Sequence, residues 1–245
     1  MCLSVLKYLK KNFVLEIVLL CISFILITPL QSFCHESQCS DVSERGYLNV
    51  LTINMLFSEI KDRYKRLNAI ADFVEDEKQT GEPIDIILLQ EVVGGPLSGT
   101  INSSLDLKRI LAKRGILYNL YYVQANGIPG VFTVGNTILS RCKISFKKAK
   151  VLPFVLEKPF ERLWVLFKRK VIMCRIDIPS FGEIDVYDVH LCSFCNSEAR
   201  LMQIQVLLGF IDDLSGDTFP VILGGDFNLD INFDDEIPLY ELITE

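Results

Sequence analysis

Gly224-Gly225-Asp226-Phe227-Asn228 is the stretch on which the reading of this chain turns. It follows Phe219 to Leu223, a short apolar run that reads as a buried strand. Two glycines allow a tight turn and a close approach of backbone to a ligand. A carboxylate and an amide then stand at the strand end. In layered α/β folds, residues at strand ends gather around one crevice.

Three other strands end in the same manner. Leu48 to Met55 carries Thr52-Ile53-Asn54. Ile84 to Leu89 is continuously apolar, as suits a strand buried on both faces, and runs into Gln90-Glu91. Ile184 to Leu191 has Asp188 and His190 near its end. Asn54, Glu91, His190, Asp226 and Asn228 are therefore expected to meet.

Between these strands the apolar spacing predicts helices over Asp62 to Glu77, Leu105 to Arg114 and Ser197 to Leu214. Tyr118 to Gln124, Thr133 to Ser140 and Val171 to Ile178 read as further strands. The turn Pro179-Ser180-Phe181-Gly182 makes the last of these a hairpin with Ile184 to Leu191. Hairpins mixed with strand-helix-strand units predict mixed sheets layered with helices.

The five site candidates suit phosphate ester hydrolysis. A hard cation such as Mg²⁺ takes few carboxylates and completes its shell with water and substrate oxygens. Glu91 offers the carboxylate and Asn54 a neutral oxygen. Asp226 can orient or deprotonate the attacking water. His190 and Asn228 can donate to non-bridging oxygens.

The strings Leu51 to Asn54, Leu88 to Val92, Gly135 to Arg141, Val189 to Leu191 and Gly224 to Asn228 resemble the endonuclease/exonuclease/phosphatase superfamily. That group includes deoxyribonuclease I, abasic-site endonucleases, secreted sphingomyelinases and inositol polyphosphate 5-phosphatases. The resemblance implies a deoxyribonuclease I-like α/β sandwich of four layers, two mixed β-sheets flanked by helices. It implies Glu91 as the main metal ligand with Asn54 beside it, and Mg²⁺ (or Mn²⁺ or Ca²⁺) as cofactor. It also implies His190 at the scissile phosphate, Asp226 on the nucleophilic water and Asn228 on the transition state. Arg200 and Gln203 match a common pattern and read as structural. A nucleic-acid phosphodiester is the first substrate expected, a sphingomyelin-like phospholipid the second.

One departure stands out. The family closes with a Ser-Asp-His-type motif, whereas the only histidines here are His35 and His190, and no match follows Asp226. Residues 47–245 are thus expected to form the domain without its last strand and motif. A catalytically inactive binding protein is the contrasting reading.

The rest of the chain bears on location. Lys7, Lys10 and Lys11 precede an apolar run from Phe13 to about Phe33, the layout of a signal peptide or signal anchor over residues 1–34. Either outcome exports the folded part, to the periplasm, the extracellular space or an outward-facing membrane anchorage. Residues 35–46 read as a polar linker. The net charge is −6, and −8 without the first 34 residues, so no global basic field draws nucleic acid. Cys192 and Cys195 are spaced for a disulfide in an exported protein. Asn102-Ser103-Ser104 is a glycosylation sequon. The basic cluster Phe167-Lys168-Arg169-Lys170 reads as a solvated loop or a phosphate grip. Phe154, Phe160 and Trp164 read as core. The acidic run from Asp226 reads as a solvated loop. It fails as an EF-hand because Ile231 and Ile237 fall where Gly and Glu are needed.

Overall fold

The computed structural model describes residues 39–57, 59–153, 168–230 and 232–244. The leader, Phe154, Phe160, Trp164, Phe167 and Ile231 lie outside the described residues. Among the described residues no helix is long and apolar enough to cross a membrane.

In chain order the elements are α1 (Asp41–Arg45), β1 (Val50–Asn54), α2 (Arg63–Thr80), β2 (Ile86–Gly94), α3 (Ser103–Lys113), β3 (Asn119–Ile128) and β4 (Phe132–Ser140). They continue with β5 (Lys143–Val151), β6 (Lys170–Ile178), β7 (Gly182–His190), α4 (Ser197–Leu214), β8 (Val221–Asp226) and α5 (Ile237–Thr244). One sheet has the order β1-β2-β4-β3 and the other β5-β6-β7-β8. Each is mixed: β1 runs parallel to β2, and β7 parallel to β8, while the remaining pairs are antiparallel.

Side-chain alternation along the strands builds the layers. Successive residues of a strand face opposite sides. In β2, Ile87 and Leu89 turn towards α2 and α3, where they meet Leu67, Ala71, Val74, Leu107 and Leu111. Ile86 and Leu88 turn the other way and meet Ile172, Cys174, Ile176 and Val186 of the second sheet. In β6 and β7, Val171, Met173, Tyr187 and Val189 pack under Ile204, Leu207 and Phe210 of α4. Three apolar interfaces thus hold four layers, helix, sheet, sheet and helix. Each fully buried Ile or Leu contributes roughly 1.5–3 kcal/mol. The expected sandwich is the one observed.

The parallel pairs set up the site. Asn54 lies level with Gln90, and His190 level with Asp226. All four strand ends therefore open at one end of the sandwich.

The opposite end is closed by charge pairs and sulfur. Asp85, fully buried, accepts from Arg45 at 2.7 and 2.9 Å, from Arg141 at 2.8 Å and from the Asn49 backbone N–H at 2.9 Å. Arg141 also binds Asp41 at 2.8 Å. Cys39 is bonded to Cys142.

Several expectations need correction. The polar linker is not a linker from Cys39 onward. Cys39 and Val42 are buried in the inter-sheet core, and α1 belongs to the domain. β5 was not expected, because Lys143, Lys147, Lys148 and Lys150 hide its edge-strand pattern. The chain after Asp226 is not merely a solvated loop: α5 follows, with Leu239 buried and Glu236 paired with Arg200. The sequon Asn102 is a buried helix cap, its Oδ1 accepting from Ser104 and Leu105 backbone N–H groups at 2.8 and 3.1 Å. Cys192 and Cys195 are bonded, as expected. Arg200 binds the Cys195 carbonyl, and Gln203 binds Pro153 and Cys192, which agrees with structural roles.

Candidate active site

Asn54 closes β1. Its Oδ1 accepts from the Leu56 backbone N–H at 2.9 Å, a local Asx turn that turns the chain out of the strand. Its Nδ2 donates to Asp226 Oδ2 at 2.7 Å, joining the two sheets across the crevice.

Glu91 sits on an irregularity in the β2–β4 ladder, between Leu89 and Val92, with φ at 55°. A bulge re-aims a side chain. A left-handed backbone costs a non-glycine residue about 1 kcal/mol or more, and such residues cluster at functional sites. Among the described residues the carboxylate accepts one hydrogen bond, from the Phe57 N–H to Oε2 at 2.9 Å. Oε1 faces His190 Nε2 at 3.9 Å.

Asp226 ends β8 directly beside His190. Its Oδ2 stands 3.7 Å from His190 Nε2, and its Oδ1 accepts from the Asn228 N–H at 3.1 Å. Asn228, with φ at 49°, donates from Nδ2 to the Leu191 carbonyl at 2.9 Å. The two glycines before Asp226 serve packing rather than a ligand. A Cβ at Gly225, where φ is 135°, would collide with the Val189 backbone. One at Gly224 would lie 2.6 Å from Leu88 Cδ1 of the other sheet. The close approach of β8 to β7 therefore requires glycine at 225, while at 224 a side chain would have to displace the end of Leu88.

His190 is 3% exposed. Arg169 Nη1 lies 3.0 and 3.1 Å from its two ring nitrogens. Guanidinium only donates, so the ring accepts. Burial and then the Arg169 charge hold the His190 pKa down at about 4, with Asp226 acting the other way. At neutral pH His190 is therefore uncharged. Arg169 joins the crevice, although its sequence left it undecided inside a basic cluster. The signal for it was its place immediately before the strand that pairs with the His190 strand. Burial lowers its pKa, while Glu91 and Asp226 raise it, and an arginine stays charged.

Beneath the crevice lies a second buried carboxyl. Asp188 accepts from Gln90 Nε2 at 2.6 Å, linking the sheets. Burial pushes Asp188 well above the usual carboxylate range, against the Gln90 bond. Gln90 Nε2 also reaches Thr52 Oγ1 at 3.2 Å. A pocket of about 720 Å³ opens beside Asn54 and Asp226 and is lined further by Phe227, Leu229, Tyr240 and Ile243.

All five expected residues are thus brought together. A cation here would draw most of its shell from water and substrate. Among the described residues no three His, Cys, Asp or Glu side chains are arranged to hold an ion by themselves. Glu91 Oε1 and the Asn54 amide oxygen suit a hard ion such as Mg²⁺ that keeps most of its water.

A mixed two-sheet sandwich with carboxylates and amides at its strand ends defines a class of phosphoester hydrolases. Residues 51–235 match the Endonuclease/Exonuclease/phosphatase family, and the chain belongs to it. No curated protein matches the sequence. Solved structures do share the fold. An endonuclease/exonuclease/phosphatase family protein from Leptotrichia buccalis C-1013-b is 20% identical with TM-score 0.62, over 80% of this chain and 72% of that one. The mannosyl-6-phosphatase Bt3783 of Bacteroides thetaiotaomicron VPI-5482 is 20% identical with TM-score 0.56, over 78% and 68%. D. rerio TDP2, complexed with a single-strand DNA product, is 18% identical with TM-score 0.55, over 79% and 64%. The chain therefore spans about two thirds of the length of these structures.

Proposed function

We propose that the chain is an exported, divalent-cation-dependent phosphodiesterase. The observation that carries this reading is Glu91: a carboxylate in a left-handed bulge, with one oxygen turned to His190, which also faces Asp226. In this reading Glu91 and Asn54 hold Mg²⁺, with Mn²⁺ or Ca²⁺ as substitutes. When bound, the cation polarises the phosphoryl group and offsets charge developing on it.

The chain's own residues supply the remainder. Asp226 is oriented by Asn54 and by the Asn228 N–H, so its carboxylate is placed to take a proton from an attacking water. Arg169 brings a permanent positive charge to the crevice, where the phosphate charge needs neutralising. The resemblance implies contact of His190 with the scissile phosphate; in this reading the ring chiefly accepts from Arg169 and fixes that cation. Asn228 has one amide N–H committed to Leu191, which leaves the other for a phosphoryl oxygen.

Export is part of the same proposal and rests on the lysines and apolar run of residues 1–34. That run also provides for membrane association. Bonded Cys192–Cys195 and Cys39–Cys142 support an oxidising location. The reading is tested by turnover of a chromogenic phosphodiester with Mg²⁺ and with EDTA, for wild type and Glu91→Gln. Turnover that requires both Mg²⁺ and Glu91 is expected. Turnover indifferent to both overturns the reading, and no turnover by a folded, Mg²⁺-loaded wild type favours a catalytically inactive binding protein.

A further inference from the structure

Two loops at the mouth of the crevice carry no charge and turn large aliphatic side chains outward. The first, Gly95 to Ile101, follows β2 and begins four residues past Glu91, about 13 Å along a strand. The second, Pro129 to Val131, joins β3 to β4. Leu97 is 70% exposed, Ile101 80%, Ile128 51% and Val131 40%. Residues 92–105 and 115–140 hold no Asp, Glu, Lys, Arg or His, in a chain that is 23% charged.

The exposure is built in. The Leu97 N–H donates to the Val131 carbonyl at 3.1 Å, joining the loops. A Cβ at Gly95, where φ is 95°, would lie 2.5 Å from that same Val131 oxygen, so glycine permits the contact. Buried Arg63 of α2 donates to the Ser98 and Gly99 carbonyls, and Ser98 Oγ donates to Gly95 O at 2.7 Å. The loops are thus tied to the body through their backbone and Ser98, with Leu97, Ile101 and Val131 turned out. Contiguous exposed apolar groups mark a binding surface.

Charge decides what it binds. A nucleic acid needs Lys and Arg at its phosphates, and the two loops themselves hold neither. A charge-free aliphatic tip matches hydrocarbon. We infer that this tip enters the acyl region of a lipid bilayer, which sets the crevice against the phosphodiester headgroups of membrane lipids. Docking follows from the surface alone. The lipid as substrate rests on the proposed phosphodiesterase activity.

The test places a fluorophore at the tip. Trp164 is the only tryptophan. The full chain carrying Leu97→Trp in a Trp164→Phe background is mixed with phosphatidylcholine–sphingomyelin vesicles, with and without brominated acyl chains. Phe73→Trp, on the outer surface of α2, is the control. The tip indole is expected to shift to the blue and to lose about half of its emission or more to the brominated lipid, since interfacial segments sit roughly 5–10 Å into the acyl boundary. The control is expected to change little. An unquenched tip indole, equal quenching at both positions, or a tip response to single-stranded DNA in place of vesicles overturns the inference. Quenching without any phosphodiester turnover leaves docking standing and removes the proposed activity. Turnover with an unquenched tip does the reverse.

Discussion

Asp85 and Glu91 stand at the two ends of one strand and are treated in opposite ways. Asp85 is fully buried, and two arginines and a backbone N–H satisfy it. Glu91 is partly open, takes one backbone bond and sits in a strained left-handed conformation. Around Asp85 every element closes: α1 folds in, Arg141 reaches Asp41, and Cys39 binds Cys142. Around Glu91 the crevice stays open: Glu91 and Asp226 both face His190, and among the described residues Arg169 is the guanidinium beside them. One end stabilises the fold. The other leaves Glu91 partly open, with its Oε2 bonded to the Phe57 N–H and its Oε1 facing His190.

The largest effect is expected at the closed end. Asp85→Asn leaves Arg45 and Arg141 without their buried counter-charge, and removing one partner of a buried pair costs about 3–5 kcal/mol. Denaturant unfolding is expected to show that loss, while turnover per folded molecule stays unchanged. A loss of turnover without loss of stability would erase the distinction between the ends.

The next test belongs to the open end. His190 has its folded-state pKa lowered from 6.5 to about 4, chiefly by burial and then by Arg169. The unfolded chain therefore takes up the proton first as pH falls. The stabilisation is complete above about pH 6.5 and is lost as pH falls towards 4, on the order of 3 kcal/mol over the window. Unfolding midpoints at pH 7 and pH 5 in EDTA are expected to differ more for wild type than for His190→Gln. Equal slopes would mean that the ring is not held neutral by the fold.

A smaller effect is expected for Arg169→Gln. Losing one positioned donor at a phosphate costs roughly 1.4–2.8 kcal/mol, a ten- to hundredfold fall in kcat/KM. His190→Gln, which loosens Arg169, is expected to fall less. A larger loss for His190→Gln would return the histidine to a direct role at the phosphate.

The open end was the legible one. Asn54, Glu91, His190, Asp226 and Asn228 are polar residues set at the ends of apolar runs, and that contrast is local in sequence. Arg169 escaped because its neighbours Lys168 and Lys170 make it look like solvated surface. What distinguishes it is its contact with His190, 21 residues away. The closed end could not be read at all. Cys39, Arg45, Asp85 and Arg141 are far apart in the chain, and nothing in their immediate surroundings signals pairing. The string Gly135 to Arg141 was visible, but its arginine serves Asp85 and not the crevice. The layers were legible through β2, whose unbroken apolar run requires cover on both faces. β5 and α5 were hidden by lysines and by an acidic approach.

The contrast between the two ends predicts a cation at Glu91 and none at Asp85. Titrating the folded protein with Mn²⁺ and following bound ion by its paramagnetic effect measures this directly. One equivalent is expected to bind wild type and to be displaced by Mg²⁺. Glu91→Gln is expected to lose that ion without losing stability. Undiminished binding in Glu91→Gln would contradict the account.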